Sequence, residues 1–202
     1  MHYVEHLAKD KKFNNLLDRE PFVLTKRRKV YLHLCGSIMS QQLSVKVADV
    51  IWKRFLALYE KQPTPEQIVA TPFASLRGIG LSNAKVNYVQ NVARFALEQG
   101  MDWKKLHKMS DEEVTQHLIQ IKGVGRWTTE MILMFALGRE DVFAVDDLGI
   151  QNAMIKIYKL DGADKKQLKE DMLRIAKKWS PYRTYACLHL WKWKDNAPKT
   201  SS

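Results

Sequence analysis

Cysteine occurs only twice in 202 residues, at Cys35 and Cys187. Two thiols cannot supply the four thiolates of an iron–sulfur cluster, so that cofactor is excluded, and they argue against a disulfide framework. A chain this poor in cysteine reads as one kept in a reduced, intracellular compartment. Histidine offers no metal chemistry either: of the six, His2 and His6 have helical spacing, but their place at the chain terminus makes them surface residues. Long apolar runs are missing. Nothing approaches the ~20 residues of a membrane span, and the opening MHYVEHLAKDKK lacks the apolar stretch of a signal peptide. A soluble, intracellular chain of the cytoplasm or nucleoid, without a membrane partner, is expected. Low-complexity segments and the alternation of strands are absent as well.

What is present is a core and a charge. Hydrophobic residues make up 46% of the chain, enough for a buried interior. Lysine and arginine number 33 against 22 acids, a formal charge of +11. Such a field favours a polyanionic partner, although charge alone does not separate that reading from a basic, unspecialised surface.

The apolar spacing is helical nearly everywhere, so the predicted fold is all-α. Val4, Leu7, Phe13 and Leu16 mark an amphipathic arm interrupted by Lys9 to Lys12. Lys26 to Lys29 open a segment in which Tyr31, Leu34 and Ile38 share a face, and the basic cluster reads as a solvated helix start. Ser40-Gln41-Gln42-Leu43-Ser44 then breaks the pattern and starts a helix with Leu43, Val47, Val50, Ile51 and Phe55 predicted to face inward. The paired glutamines are either a polar junction or a functional probe. Thr64-Pro65-Glu66-Gln67 and Ser110-Asp111-Glu112-Glu113 have capping-box spacing, Thr71-Pro72 reads as a further cap, and Ser82 caps a helix carrying Val86, Val89, Ala93 and Leu97. The Gly78-Ile79-Gly80 joint before Ser82 differs too much in its flanks from the second Gly-x-Gly, at 123–125, to be a repeat. Leu168, Met172, Ile175 and Trp179 mark a later helix, Ser180-Pro181 reads as the cap of an aromatic-rich last one, and Asp195 to Ser202 reads as a disordered tail.

The stretch IKGVGRWTTEMILMFALGREDVFAVDDLGI, from Ile121 to Ile150, carries the chemistry. Glycines at 123 and 125 allow a tight turn and close approach of a ligand, and the following helix start offers main-chain N–H groups and the positive end of its dipole. That arrangement suits a phosphate and is blind to base sequence. An ordinary helix connection has the same spelling. Asp146 and Asp147, one helix further on, each fit an N-cap as well as a catalytic carboxylate.

With Ile121-Lys122-Gly123-Val124-Gly125-Arg126-Trp127-Thr128 followed by Val145-Asp146-Asp147-Leu148-Gly149-Ile150, the chain resembles the helix–hairpin–helix (HhH-GPD) DNA glycosylases, and among them the 3-methyladenine DNA glycosylase II, AlkA-like group. The likeness runs from about Ile38 to Trp191 and includes Ser40 to Ser44, Gly78 to Ser82 and Tyr185 to Trp191. It implies two helical lobes with the active site in the cleft between them: residues 1–40 with 151–194, and 41–150 containing the hairpin at 119–137. It implies double-stranded DNA with a damaged base as partner, a monomer, and extrusion of the damaged nucleotide. Gly123, Val124, Gly125, Arg126 and Thr128 would hold the DNA backbone, and Gln42 or Leu43 would be the wedge that fills the gap. By the family's spacing Asp147, three residues before Ile150, is the catalytic acid. Trp127, Met131 and Trp191 match pocket positions, although relatives carry tyrosine where this chain has Met131. The main-chain carbonyls of Ile121 and Gly123 would hold a structural Na+ or K+.

Relatives that also cut the strand carry an amine nucleophile after Arg126, where this chain has Trp127. Lys122 precedes the turn and by resemblance faces away from the sugar. The resemblance therefore implies a monofunctional glycosylase acting on alkylated bases in base excision repair, with 3-methyladenine the first candidate. An indole face suits a base made cationic by alkylation, a contact of roughly 0.5 to 2 kcal/mol. A non-catalytic helix–hairpin–helix DNA-binding protein and a glycosylase for an oxidised or deaminated base are the rivals. Borohydride treatment during turnover is expected to trap no covalent protein–DNA adduct; an adduct on denaturing gels would overturn the monofunctional reading.

Overall fold

The computed structural model describes residues 2–17 and 21–196. Within them the chain is helical, without a strand, and no helix is long and apolar enough to cross a membrane. Two short helices, α1 (His2–Leu7) and α2 (Lys11–Asn14), come first. Then follow α3 (Val30–Ser40), α4 (Val45–Leu56), α5 (Pro65–Ala70), α6 (Phe73–Gly78), α7 (Asn83–Phe95), α8 (Trp103–Lys108), α9 (Asp111–Leu118) and α10 (Arg126–Phe135). The chain closes with α11 (Leu148–Tyr158), α12 (Lys165–Ala176) and α13 (Arg183–Asn196). Two compact units result: Met1–Leu24 with Gly138–Ser202, taken over their described residues, and Thr25–Leu137. The boundaries thus fall before α3 and after α10, not at 40 and 150. The reason is packing: Leu34, Cys35 and Ile38 of α3 are fully buried in the second unit, with the Cys35 thiol 3.9 Å from the Val89 carbonyl of α7. Burial pushes that thiol up to about 12, so it stays protonated.

Both capping boxes form, Thr64 with Gln67 and Ser110 with Glu113, and Ser82 caps α7 through Lys85 N. Val86, Val89 and Ala93 are buried as their spacing requires. Leu97 is 46% exposed because the chain widens into a π-helical turn at Ala96–Gly100, which rotates it off the stripe. In α4 only Ile51 and Phe55 are buried; Leu43, Val47 and Val50 are exposed, because the core reaches the last turns of this helix and not the first. Thr71 does not cap α6, whose N-cap is Pro72; its hydroxyl donates to Gln67 O.

The first unit is centred on Asp10. One carboxylate oxygen caps α2 through Lys12 N and Phe13 N, while the other accepts from Tyr158 OH at 2.8 Å and Trp179 Nε1 at 3.3 Å. Trp179 is fully buried against Phe13, ring centroids 4.9 Å apart. The helix expected to open at Ser180-Pro181 starts at Arg183, and Ser180 Oγ donates to Asp141 instead. Asp195 and Asn196, expected in a disordered tail, are the last helical residues; the rest of that stretch lies outside the described residues.

Asp141 fastens the start of α13. It accepts from Arg183 Nε at 2.7 Å, Arg183 Nη2 at 2.9 Å and Ser180 Oγ at 2.8 Å. Burial would raise its carboxyl, but these hydrogen bonds outweigh it and hold it below the usual carboxylate range. A depressed carboxylate contributes stability that is present above its unfolded pKa of about 3.9 and lost as pH falls through the lower folded value. Asp141→Asn is expected to cost about 2 kcal/mol at pH 7 and to flatten the acid side of the stability curve, read by thermal melting from pH 7 to 3.

Candidate functional site

In the second unit, α9 and α10 are joined by a hairpin closed by Val124 N donating to Ile121 O at 2.9 Å. Gly123 sits at φ +102°, and a Cβ there would lie 2.3 Å from the Tyr88 ring, so both conformation and packing demand glycine. Gly125 is the N-cap of α10 and offers no side-chain hydrogen bond to the first turn; a Cβ on it would meet open space. The helix start therefore presents main-chain N–H groups on an unobstructed side, the arrangement that accommodates a phosphate oxygen. Arg126 is exposed and lies 3.7 Å from Glu112 and 3.6 Å from Glu130. Val124 and Thr128 are buried, and the Thr128 hydroxyl accepts from Gln41 Nε2 at 3.3 Å. Of the residues expected to hold the backbone, Thr128 can thus offer only its amide, because its side chain is committed inward.

Trp127 and Met131, one turn apart on α10, come together in an open cavity of about 400 Å³. Its other walls include Arg27, His33, Trp52 and Phe135. Burial, with the Arg27 guanidinium second, lowers His33 to about 4, so its ring is neutral near pH 7 and offers one donor and one acceptor. Sequence reasoning missed this group. The basic cluster at 26–29 is exposed at the start of α3, as its pattern predicts, and Arg27 in addition lines the cavity, which Trp52 joins from α4.

Gln42 and Leu43 are exposed at the turn between α3 and α4. Gln42 has φ +58°, a left-handed conformation unusual for a residue with a Cβ. The turn is gripped through Gln41 Nε2 on Thr128 and through Lys85 Nζ, which donates to Met39 O at 3.0 Å and Gln41 O at 2.6 Å.

The two aspartates separate cleanly. Asp146 forms a surface ion pair with Lys169. Asp147 is the N-cap of α11, and its Oδ1 accepts from both Ile150 N and Trp191 Nε1, each at 2.9 Å. Trp191, expected as a pocket wall, therefore stands in the first unit as the residue that orients Asp147. Gly149 makes this possible: a Cβ there would lie 3.0 Å from Asp147 Oδ1 and 3.4 Å from Trp191 Cδ1.

Ile121 O accepts one hydrogen bond, from Val124 N, and keeps a second lone pair. Among the described residues no group of three or more His, Cys, Asp or Glu could hold a metal ion.

The two hairpin glycines make opposite predictions. Gly123→Ala is expected to lower the melting midpoint markedly, since φ alone costs roughly 1–2 kcal/mol before the Tyr88 clash. Gly125→Ala should melt within about 0.5 kcal/mol of wild type. Equal midpoints for the two variants would refute this account of the turn.

The family model for HhH-GPD superfamily base excision DNA repair proteins matches residues 35–179. YfjP of Bacillus subtilis is 35% identical over 170 residues, 81% of this chain, which spans 58% of that relative's length. DNA-3-methyladenine glycosylase 1 of Schizosaccharomyces pombe is 35% identical over 169 residues, covering 82% of this chain and 73% of the relative. The solved structure of the S. pombe 3-methyladenine DNA glycosylase Mag1 in complex with abasic DNA superimposes with a TM-score of 0.88 at 31% identity, covering 100% of both chains. With its hairpin, its capped aspartate and a family match over most of its length, the chain belongs to the HhH-GPD superfamily of base excision DNA repair proteins.

Proposed function

We propose that the protein is a monofunctional DNA glycosylase that releases alkylated bases from double-stranded DNA, acting as a monomer. The observation that carries this is Asp147, a carboxylate held by two donors on one oxygen at the start of α11 in a chain of this family. The names of the S. pombe relatives support the substrate class.

The hairpin amides hold a phosphate of the damaged strand, and the main-chain carbonyls of Ile121 and Gly123 would hold a monovalent cation, which would add positive charge beside it. Gln42 and Leu43 enter the duplex as the nucleotide swings out, which costs a few kcal/mol, least for a weakly paired base. Trp127 and Met131 supply an apolar, electron-rich wall for the base. As the glycosidic bond lengthens, its electron pair leaves with the base and positive charge develops on the sugar. The Asp147 carboxylate stabilises that charge and orients the water. The water oxygen bonds to the anomeric carbon, its proton passes to the carboxylate or to solvent, and an abasic site remains.

Arg27 favours a second reading of the lesion. A guanidinium on the cavity wall opposes a cationic base, whereas a neutral altered base with acceptors on its edge would accept from it. Chromatography of bases released from methylated and from deaminated DNA separates 3-methyladenine from that class.

Asp147→Asn keeps a cap but lacks the charge, so base release is expected to fall at least ~100-fold with DNA affinity within about twofold of wild type. Wild-type protein inert on methylated duplex, while still binding it, would leave the non-catalytic DNA-binding reading.

A further inference from the structure

The turn that carries Gln42 and Leu43 is built against its own interests. The end of α3 leaves main-chain carbonyls without helical partners, no glycine relieves the bend, and Gln42 takes a left-handed φ of +58° despite its Cβ. A distant ammonium compensates. Lys85 Nζ reaches across 44 residues of sequence to Gln41 O at 2.6 Å and across 46 to Met39 O at 3.0 Å.

Lys85 occupies an unfavourable place to do this. It lies in the first turn of α7, where the helix dipole disfavours a cation, and burial lowers its ammonium below the usual lysine value. A solvated lysine would avoid the cost of burial. On the other flank, Gln41 Nε2 holds the Thr128 hydroxyl in the first turn of α10. The exposed tip at 42–43 is thus clamped to α7 and to the hairpin helix, while the tip side chains remain outside.

We propose that Lys85 is a positioning residue for strand opening: by stapling the Met39 and Gln41 carbonyls it holds Gln42 and Leu43 in the shape that enters the duplex. This rests on the reading of Gln42 and Leu43 as the wedge. Two charge-assisted hydrogen bonds supply the grip, and the backbone of the turn transmits it. Lys85 itself takes no part in breaking the glycosidic bond.

The test compares one alkylated base in two settings, fully paired in a duplex and already unpaired in a single-nucleotide bulge, where no wedge is needed. Lys85→Met is expected to slow release from the paired duplex about tenfold and release from the bulge less than about twofold. Lys85→Arg, which can also donate to two carbonyls, should recover most of the paired-duplex rate. Fluorescence of 2-aminopurine beside the lesion should report slower opening with the Met variant, and this readout needs no chemistry. Slowing of both substrates alike, or of neither, would overturn the role of Lys85. The double variant Gln42→Ala, Leu43→Ala separates the two claims. If it leaves the paired-duplex rate unchanged, the wedge reading falls and this proposal with it. If it slows that rate while Lys85→Met does not, the wedge stands and Lys85 is excluded.

Discussion

Every helix leaves four N–H groups at its start and four carbonyls at its end without helical partners, and where the described residues include no strand those ends are the recurring constraint. Most are closed locally: Asp10, Ser44, Thr64, Ser82, Asp102, Ser110 and Asp164 each cap the helix they precede. Three further ends belong to the candidate site. The N-cap of α10 is Gly125, which contributes no side chain, so a phosphate can take the place of a cap. The cap of α11 is Asp147, whose oxygen also binds an indole N–H, so one carboxylate oxygen joins the helix start to α13. The end of α3 is closed by Lys85.

That economy has an energetic logic. A catalytic carboxylate must be held still before charge develops, since reorganising it during the reaction would consume what it contributes. The Ile150 and Trp191 donors fix Asp147 from the helix start and from α13, and α13 is itself pinned by the Asp141–Arg183 pair. The hairpin follows the same principle with backbone in place of side chains. Tyr88 fills the space where a Cβ of residue 123 would be, so the turn is packed in one shape.

Much of this was legible in the residue order. Capping boxes at Thr64 and Ser110, the Ser82 cap, the buried stripe of α7 and the glycine-bounded hairpin all follow from interactions within about four residues. Errors arose where a local pattern met a distant limit. Val47 and Val50 have the spacing of a buried face but project beyond the core, and a π-helical turn carries Leu97 off its stripe. The basic cluster at 26–29 is the solvated helix start that its pattern predicts, but nothing nearby in the sequence shows that Trp52 and Trp127 share a cavity with Arg27.

The amino-acid sequence by itself determined the helical class, where most helices begin, the need for glycine at the hairpin and the presence of two acids after α10. What each of those acids touches, only the tertiary structure decided. Asp146 and Asp147 are equally good caps on paper, yet Lys169 takes one and Trp191, 44 residues further along the chain, takes the other. It likewise assembled Arg27, His33 and Trp52 around Trp127, and brought Lys85 to the end of α3. The physical reason is range. Caps and stripes depend on neighbours a turn away, whereas a hydrogen bond between remote residues exists only after burial has placed its donor and acceptor within 3 Å or so of each other.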